Sequence, residues 1–393
     1  MDLSAPPPPS PRRGPRTGPR TGPRTGPVDW DLAARTAVRL SRPGPRVSPE
    51  RAADVVQLLR AAAAEAPAHV ARVTGLDVPA GPGAVVVERG AWARANVTAF
   101  RALLEPLLED VLARRERERR SSRRRSRGGL GDGRAATAVT RSVTGAELGS
   151  LLALLSPRVL GQYDAFGPDG GRLMLVAPNV LEVAQQLDVD LDDFALWVAL
   201  HEETHRVQFA AAPWLADHLR ERVRALADDL VGDPGAGLER AAAAVRSLPE
   251  LVRRGGGASG GAAGAPVGLL DLLQTPAQRR ALAEATAVMS LLEGHADVVM
   301  DEVGPQVVPS VALIRARFAA RRARSRGLVD QVLRSVLGLE AKLRQYADGA
   351  RFVRGVTRRV GTAGLNAVWS GPAALPAPEE VADPAAWVRR VHG

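Results

Sequence analysis

The spacing of apolar and polar residues predicts helices along most of the chain. Over residues 48–66, Val55 and Leu59 belong to an apolar stripe at helical spacing. Ser48 fits the N-cap position and Pro49 the first helical position of this segment. The same kind of pattern predicts further helices over residues 91–113, 144–160, 190–211, 276–303, 307–325 and 327–346.

The best strand candidate is residues 172–177, which follow the turn signal GPDGG and stop before Pro178. Trp369 and Trp387 indicate that the Pro-rich C-terminal end packs on the core. We therefore expect a mainly α protein with a small β element, an α+β fold.

Shifts in composition divide the chain into four regions. We expect a disordered Arg/Pro/Gly-rich tail, an N-terminal helical region, an Arg-rich flexible insert, and a C-terminal region that holds the candidate chemistry and contains a flexible Gly-rich linker. Their ranges are residues 1–27, 28–113, 114–134 and 135–393, with the linker at 255–265.

Composition removes several classes of function. The chain has 393 residues, no cysteine and six histidines, so disulfide scaffolds, thiolate metal sites and cysteine nucleophiles are excluded. The net charge of +10 comes almost entirely from arginine, much of it in the tail and the insert, and Arg-mediated nucleic-acid binding is an unlikely alternative. No apolar run reaches the ~20 residues of a membrane helix, and no signal peptide is recognisable. We expect no membrane partner and a cytoplasmic location.

The stretch His201-Glu-Glu-Thr-His205 carries the clearest chemical signal. On a helix the two histidines lie within ~40° of each other, so both imidazoles can reach one zinc ion. Glu202 flanks the same face and is placed to act as general base toward a zinc-activated water. The preceding residues, 194–200, are almost all apolar, so the motif lies on a helix predicted to be buried. Unpaired polar groups are costly in such a place, which favours a metal site.

A third ligand lies further along the chain. A metzincin would need Gly at position 208 and His at 211, and the chain has Gln208 and Ala211, which excludes that class. His218 is a minor alternative. The segment Leu291-Leu-Glu-Gly-His-Ala-Asp297 is the better candidate, because Glu293 and Asp297 lie one helical turn apart.

This E-x-x-x-D spacing resembles that of the gluzincins, the thermolysin-like class of zinc peptidases. The resemblance implies that Glu293 is the third zinc ligand and that Asp297 orients His201 or His205 from behind. The gap between His205 and Glu293 is far longer than in thermolysin.

Several other polar residues compete for supporting roles. His295 lies ~200° around the helix from Glu293, so a buried or surface position and a substrate-side role are both open. Glu203 points away from His201 and is expected to pair with an arginine. Of the two tyrosines, Tyr163 and Tyr346, each is more often structural, and Tyr346 is the preferred candidate for stabilising the transition state.

Several segments together resemble a bacterial family of zincin-like metallopeptidases and hydrolases, whose members often carry a label of association with deazaflavin coenzyme biosynthesis. The resemblance covers most of residues 28–391 and implies a mostly helical fold with a zincin-like core and a metallopeptidase-type site, but no known substrate. We expect one zinc ion per chain and a peptide or protein substrate. The resembling segments are residues 29–33, 92–96, 201–209, 289–297, 342–349 and 384–390.

Two readings of the zinc motif follow. The chain is either a zinc-dependent hydrolase of a peptide or amide bond, or a non-catalytic zinc-stabilised module that binds a partner protein. Glu202 favours the hydrolase, because a purely structural zinc site has no use for a base at that position. The sequence alone gives neither the substrate nor the oligomeric state.

Overall fold

A computed structural model describes most of the chain. The tail up to residue 25 and the Gly-rich linker predicted at 255–265 lie outside the described residues, as does part of the Arg-rich insert. The described residues are 26, 28–78, 83–123, 133–167, 171–231, 275–324 and 339–393.

Helices dominate the described chain, as the sequence predicts. They are α1 (Trp30–Leu40), α2 (Pro49–Thr74), α3 (Arg89–Arg123), α4 (Gly133–Leu155), α5 (Ala177–Leu187), α6 (Leu191–Ala211), α7 (Leu215–Val231), α8 (Pro276–Val303), α9 (Val311–Arg324), α10 (Leu339–Leu365), α11 (Pro378–Ala382) and α12 (Pro384–His392). Short 3₁₀ turns occur at Ser156–Arg158, Asn366–Trp369 and Pro372–Ala374. No helix of the described residues is long and apolar enough to cross a bilayer.

A three-stranded sheet completes the fold. The strands β1 (Val85–Val87), β2 (Gly161–Asp164) and β3 (Arg172–Val176) are arranged in the order β1-β3-β2. β3 pairs in parallel with β1 and antiparallel with β2, which leaves β2 at an edge. The sequence predicted β3 alone, because β1 and β2 are too short to show a period-2 pattern. The mainly α fold with a small β element is confirmed.

Side-chain caps explain where the helices begin. The Ser48 hydroxyl accepts from the backbone N–H of Arg51 at 3.2 Å, as expected for the N-cap of α2. Thr275 and Gln278 form a reciprocal capping box at the start of α8. Asp190 accepts from the N–H groups of Asp192 and Asp193 and caps α6. These signals are local, which is why the predicted limits of α6 and α8 are close to the observed ones.

The N-terminal region does not form a separate core. Val55 and Leu59 of α2 share a buried apolar cluster with Phe194 and Leu200 of α6, and β1 pairs with β3. The helix predicted over residues 91–113 is longer than that range, because α3 continues through Arg123. The hydrophobic cluster that includes Trp369 and Trp387 joins the middle of α8 to α10, and it confirms that the C-terminal end packs on the core.

Two glycines let α8 and α10 cross at very short range. A Cβ at Gly294 would lie 2.1 Å from the carbonyl carbon of Gly349 and 2.4 Å from the nitrogen of Ala350. A Cβ at Gly349 would lie 1.9 Å from the oxygen of Ser290. The obstacles are backbone atoms, so a rotamer change cannot relieve them. The crossing therefore holds the middle of α8 in position.

We expect Gly294→Ala to lower the free energy of unfolding by about 1–3 kcal/mol, because α8 and α10 must move apart. Urea unfolding measures the loss. Gly90→Ala is the matched control, since the new Cβ meets only Val38 at an ordinary 3.5 Å and a helical alanine is favourable. Equal stability of Gly294→Ala and the wild type would show that the crossing is looser than described.

Candidate metal centre

The two histidines of the motif lie on α6, a largely buried helix. Phe194 and Leu200, in its first half, are fully buried in the apolar cluster shared with α2. His201 and His205 follow one turn apart, and their side chains are 25% and 14% exposed. The core thus anchors the helix, while the two imidazoles reach a partly open surface.

α8 brings a carboxylate to these imidazoles. The Nε2 atoms of His201 and His205 are 3.2 Å apart. Glu293 places Oε2 3.6 Å from the first and Oε1 3.8 Å from the second. Zinc–ligand distances of about 2.0–2.1 Å in a tetrahedron put donor atoms about 3.3 Å apart. The three predicted ligands are therefore brought together at the spacing that a single zinc ion needs.

Electrostatics keep His201 in the form that binds metal. Burial lowers the pKa of His201 to about 3, and the neighbouring His205 and Arg315 contribute to the shift. A neutral ring has a free lone pair on nitrogen. Burial also raises the pKa of the Glu293 carboxyl, and Asp297 adds to that effect, while His205 opposes it. Each charged group here lacks full hydration, which a dication bound among the three donors would offset.

Glu202, the predicted base, is held beside His201, His205 and Glu293, which together form the donor set. Glu202 is 7% exposed, and burial together with the charge of Glu293 raises the pKa of its carboxyl to about 8. The backbone N–H of Tyr163 on β2 hydrogen-bonds the Glu202 carboxylate and opposes this shift. Gly161 leaves the space for the side chain, since a Cβ there would lie 2.5 Å from Glu202 Cγ. The edge strand β2 therefore holds the base in place.

Gln208, which sequence reasoning did not select, orients His205. Its Oε1 lies 2.9 Å from His205 Nδ1, and its Nε2 donates to the Leu292 carbonyl oxygen at 2.9 Å. Gln208 thus fills the position behind His205 that was predicted for Asp297. A role for Asp297 behind His201 stays a prediction. The signal available in the sequence was a glutamine three residues after His205, on the same helical face.

His295 lies behind the donor set rather than on the substrate side. It is 2% exposed, its Nδ1 is 3.0 Å from Gln208 Nε2, and its ring packs against Trp369 at 5.5 Å. Burial lowers its pKa to about 4, with a contribution from His205. The ring is buried to an extent that favours the buried position over a substrate-side role.

The remaining candidates have structural surroundings. Glu203 pairs with Arg206 at 2.7 Å, as expected. The Tyr163 ring packs at a tilt against Phe209, and Tyr163 contributes to the site through its backbone. His218 packs on Trp214, and it is not part of the three-residue donor group found among the described residues. The side chain of Tyr346 lies outside the described residues.

Comparison with known proteins gives a consistent result. A search of curated proteins finds no match. A crystal structure from Chloroflexus aurantiacus, described as a candidate hydrolase with a novel fold, is similar with a TM-score of 0.61 and 27% sequence identity, over 92% of this chain and 98% of that chain. The model of the zincin-like metallopeptidase family matches residues 28–388. The chain therefore belongs to the zincin-like metallopeptidase family.

Proposed function

We propose that the protein is a zinc-dependent hydrolase that cleaves a peptide or amide bond, with one zinc ion held by His201, His205 and Glu293 and with Glu202 as general base. The observation that carries this proposal is the spacing of the three donor atoms, 3.2 to 3.8 Å, next to a buried carboxylate. Family membership supports zinc hydrolysis in general.

The donor set favours a catalytic site over a purely structural one. Structural zinc sites use four protein ligands and are closed, whereas catalytic sites use three and leave a position for water or substrate. Among the residues that the structure describes, the group has three members, and their side chains are between 14% and 27% exposed. Bound zinc would polarise a substrate carbonyl and make a water molecule more acidic.

Glu202 is suited to accept and return a proton. One carboxylate oxygen takes the proton of the attacking water as the new C–O bond forms, and the carboxyl then gives it to the leaving nitrogen as the C–N bond breaks. Burial and the charge of Glu293 raise the pKa of Glu202 to about 8, and a nearby cation lowers it again. The resulting base is effective near neutral pH.

The edge strand supports a peptide as the substrate. Leu160 accepts from the N–H of Val176 at 2.8 Å, so the backbone groups of Gly161 and Tyr163 point away from β3. Extended peptides add to strand edges through their backbone, and here they would use groups other than the Tyr163 N–H, which already bonds Glu202. A peptide bound along β2 would pass Glu202, which lies against Gly161.

We expect wild-type protein to retain about one zinc per chain after dialysis and Glu293→Gln to lose most of it, because a neutral amide is a poor zinc ligand. Elemental analysis of both proteins, purified side by side, measures the difference. Glu302→Gln is the control, since Glu302 is exposed near the end of the same helix. Equal zinc in wild type and Glu293→Gln would remove Glu293 from the site.

We expect Glu202→Gln to keep its zinc and to lose about 10²–10⁴-fold in kcat, the usual contribution of a general base. Cleavage of a fluorogenic peptide library by wild type and variant, together with zinc content, gives the measurement. Glu302→Gln again serves as control and should match the wild type. Wild-type-like turnover by a zinc-loaded Glu202→Gln would contradict the proposed base.

Gly161→Ala should reduce kcat by about 100-fold while zinc content stays at the wild-type level, because the new Cβ pushes the Glu202 carboxylate out of place. The same peptide assay and elemental analysis apply. Gly90→Ala, which adds a Cβ far from the donor set in sequence and in ordinary contact only, should keep full turnover. Full activity in Gly161→Ala would show that β2 does not position the base.

A further inference from the structure

The side chain of Gln208 joins three groups behind the donor set. The residue is fully buried. Its Oε1 contacts His205 Nδ1 at 2.9 Å, and its Nε2 contacts both the Leu292 carbonyl oxygen at 2.9 Å and His295 Nδ1 at 3.0 Å. Both ends of the amide are therefore engaged, and no water is needed to complete the arrangement.

The Leu292 carbonyl decides which way the amide faces. A carbonyl oxygen only accepts hydrogen bonds, so the amide nitrogen of Gln208 must face it. The amide oxygen then faces His205 and accepts, which requires the proton of that ring to be on Nδ1. The second N–H of the amide faces His295 Nδ1, which must be the unprotonated nitrogen of its ring. One backbone carbonyl thus determines the orientation of three side chains.

We propose that Gln208 is a positioning residue that fixes the tautomers of His205 and His295 and ties α6 to α8 beside Glu293. With the proton on Nδ1, His205 presents the lone pair of Nε2 to the donor set. The other tautomer would place a hydrogen on Nε2, 3.2 Å from His201 Nε2, where a metal ligand is required. The role toward zinc rests on the proposed function, while the two tautomers do not depend on bound zinc.

A neutral amide in this position differs chemically from a carboxylate. A carboxylate behind a ligating histidine orients the ring and makes it more basic. Gln208 orients the ring without adding negative charge, in a place where Glu202 and Glu293 already supply two carboxylates. It also anchors Leu292, the residue next to Glu293, so one side chain positions ligands on two helices.

Two variants separate orientation from packing. Gln208→Glu keeps an acceptor for His205 Nδ1–H, but its second oxygen faces the Leu292 carbonyl and His295. Where that carboxyl is ionised, His295 must donate from Nδ1, so its tautomer changes. Gln208→Met keeps the length and volume of the side chain and removes every hydrogen bond. A residue that only fills space would leave both the tautomers and zinc affinity unchanged.

The first test uses metal-free protein. Long-range ¹H–¹⁵N spectra of histidine-labelled protein distinguish protonated from unprotonated ring nitrogens, and His205→Asn and His295→Asn assign the signals. We expect wild-type His205 to carry its proton on Nδ1 and His295 on Nε2. At a pH where its carboxyl is ionised, Gln208→Glu should move the His295 proton to Nδ1. A wild-type His295 protonated on Nδ1, or a wild-type His205 protonated on Nε2, would overturn the proposal.

The second test measures zinc affinity by chelator competition. We expect Gln208→Met to bind zinc about 10–100-fold more weakly than the wild type. Gln186→Met, at an exposed position on α5, is the control and should bind like the wild type. A folded Gln208→Met with affinity within twofold of the wild type would contradict the role toward zinc. If the wild type bound no zinc, the proposed function would fail, and the spectra would still decide the role of Gln208 in orienting the rings.

Discussion

The hydrogen bond between the buried Gln208 amide and the Leu292 carbonyl joins α6 to α8, and the donor set depends on that contact. His201 and His205 lie on one helix and Glu293 on the other, yet their donor atoms are only 3.2 to 3.8 Å apart. The glycine crossing of α8 with α10 supports this arrangement from the opposite side, because backbone meets backbone there. Short-range packing between helices thus creates a site from segments that are far apart in the sequence.

The same packing of helices explains the protonation states of His201 and Glu202. A helix anchored in an apolar core carries the His201 imidazole and the Glu202 carboxylate into a poorly hydrated place, which disfavours the charged forms of these two groups. His201 is therefore neutral, and Glu202 has a raised pKa. Such shifts are typical of functional sites, and a bound cation would offset them. The edge strand β2 also restrains Glu202. Gly161 leaves room for its side chain, and the N–H of Tyr163 hydrogen-bonds its carboxylate.

Local signals made part of this structure predictable. The capping residues Asp190 and Thr275 mark the starts of α6 and α8, and the spacing of His201 and His205 identifies their shared face. The choice of Glu293 came from the resemblance to gluzincins and agrees with the observed donor distances. Gln208 was not predictable in its role, because its partners Leu292 and His295 come close only after α6 and α8 pack together.

The central claim is that one zinc ion binds among His201, His205 and Glu293 with a position left open. Anomalous diffraction at the zinc absorption edge, from crystals of the full chain grown with zinc, tests it most directly. The account predicts one strong peak about 2.0–2.2 Å from the two Nε2 atoms and from a Glu293 carboxylate oxygen, with no fourth protein ligand. A peak elsewhere, or a site closed by a fourth side chain, would contradict it.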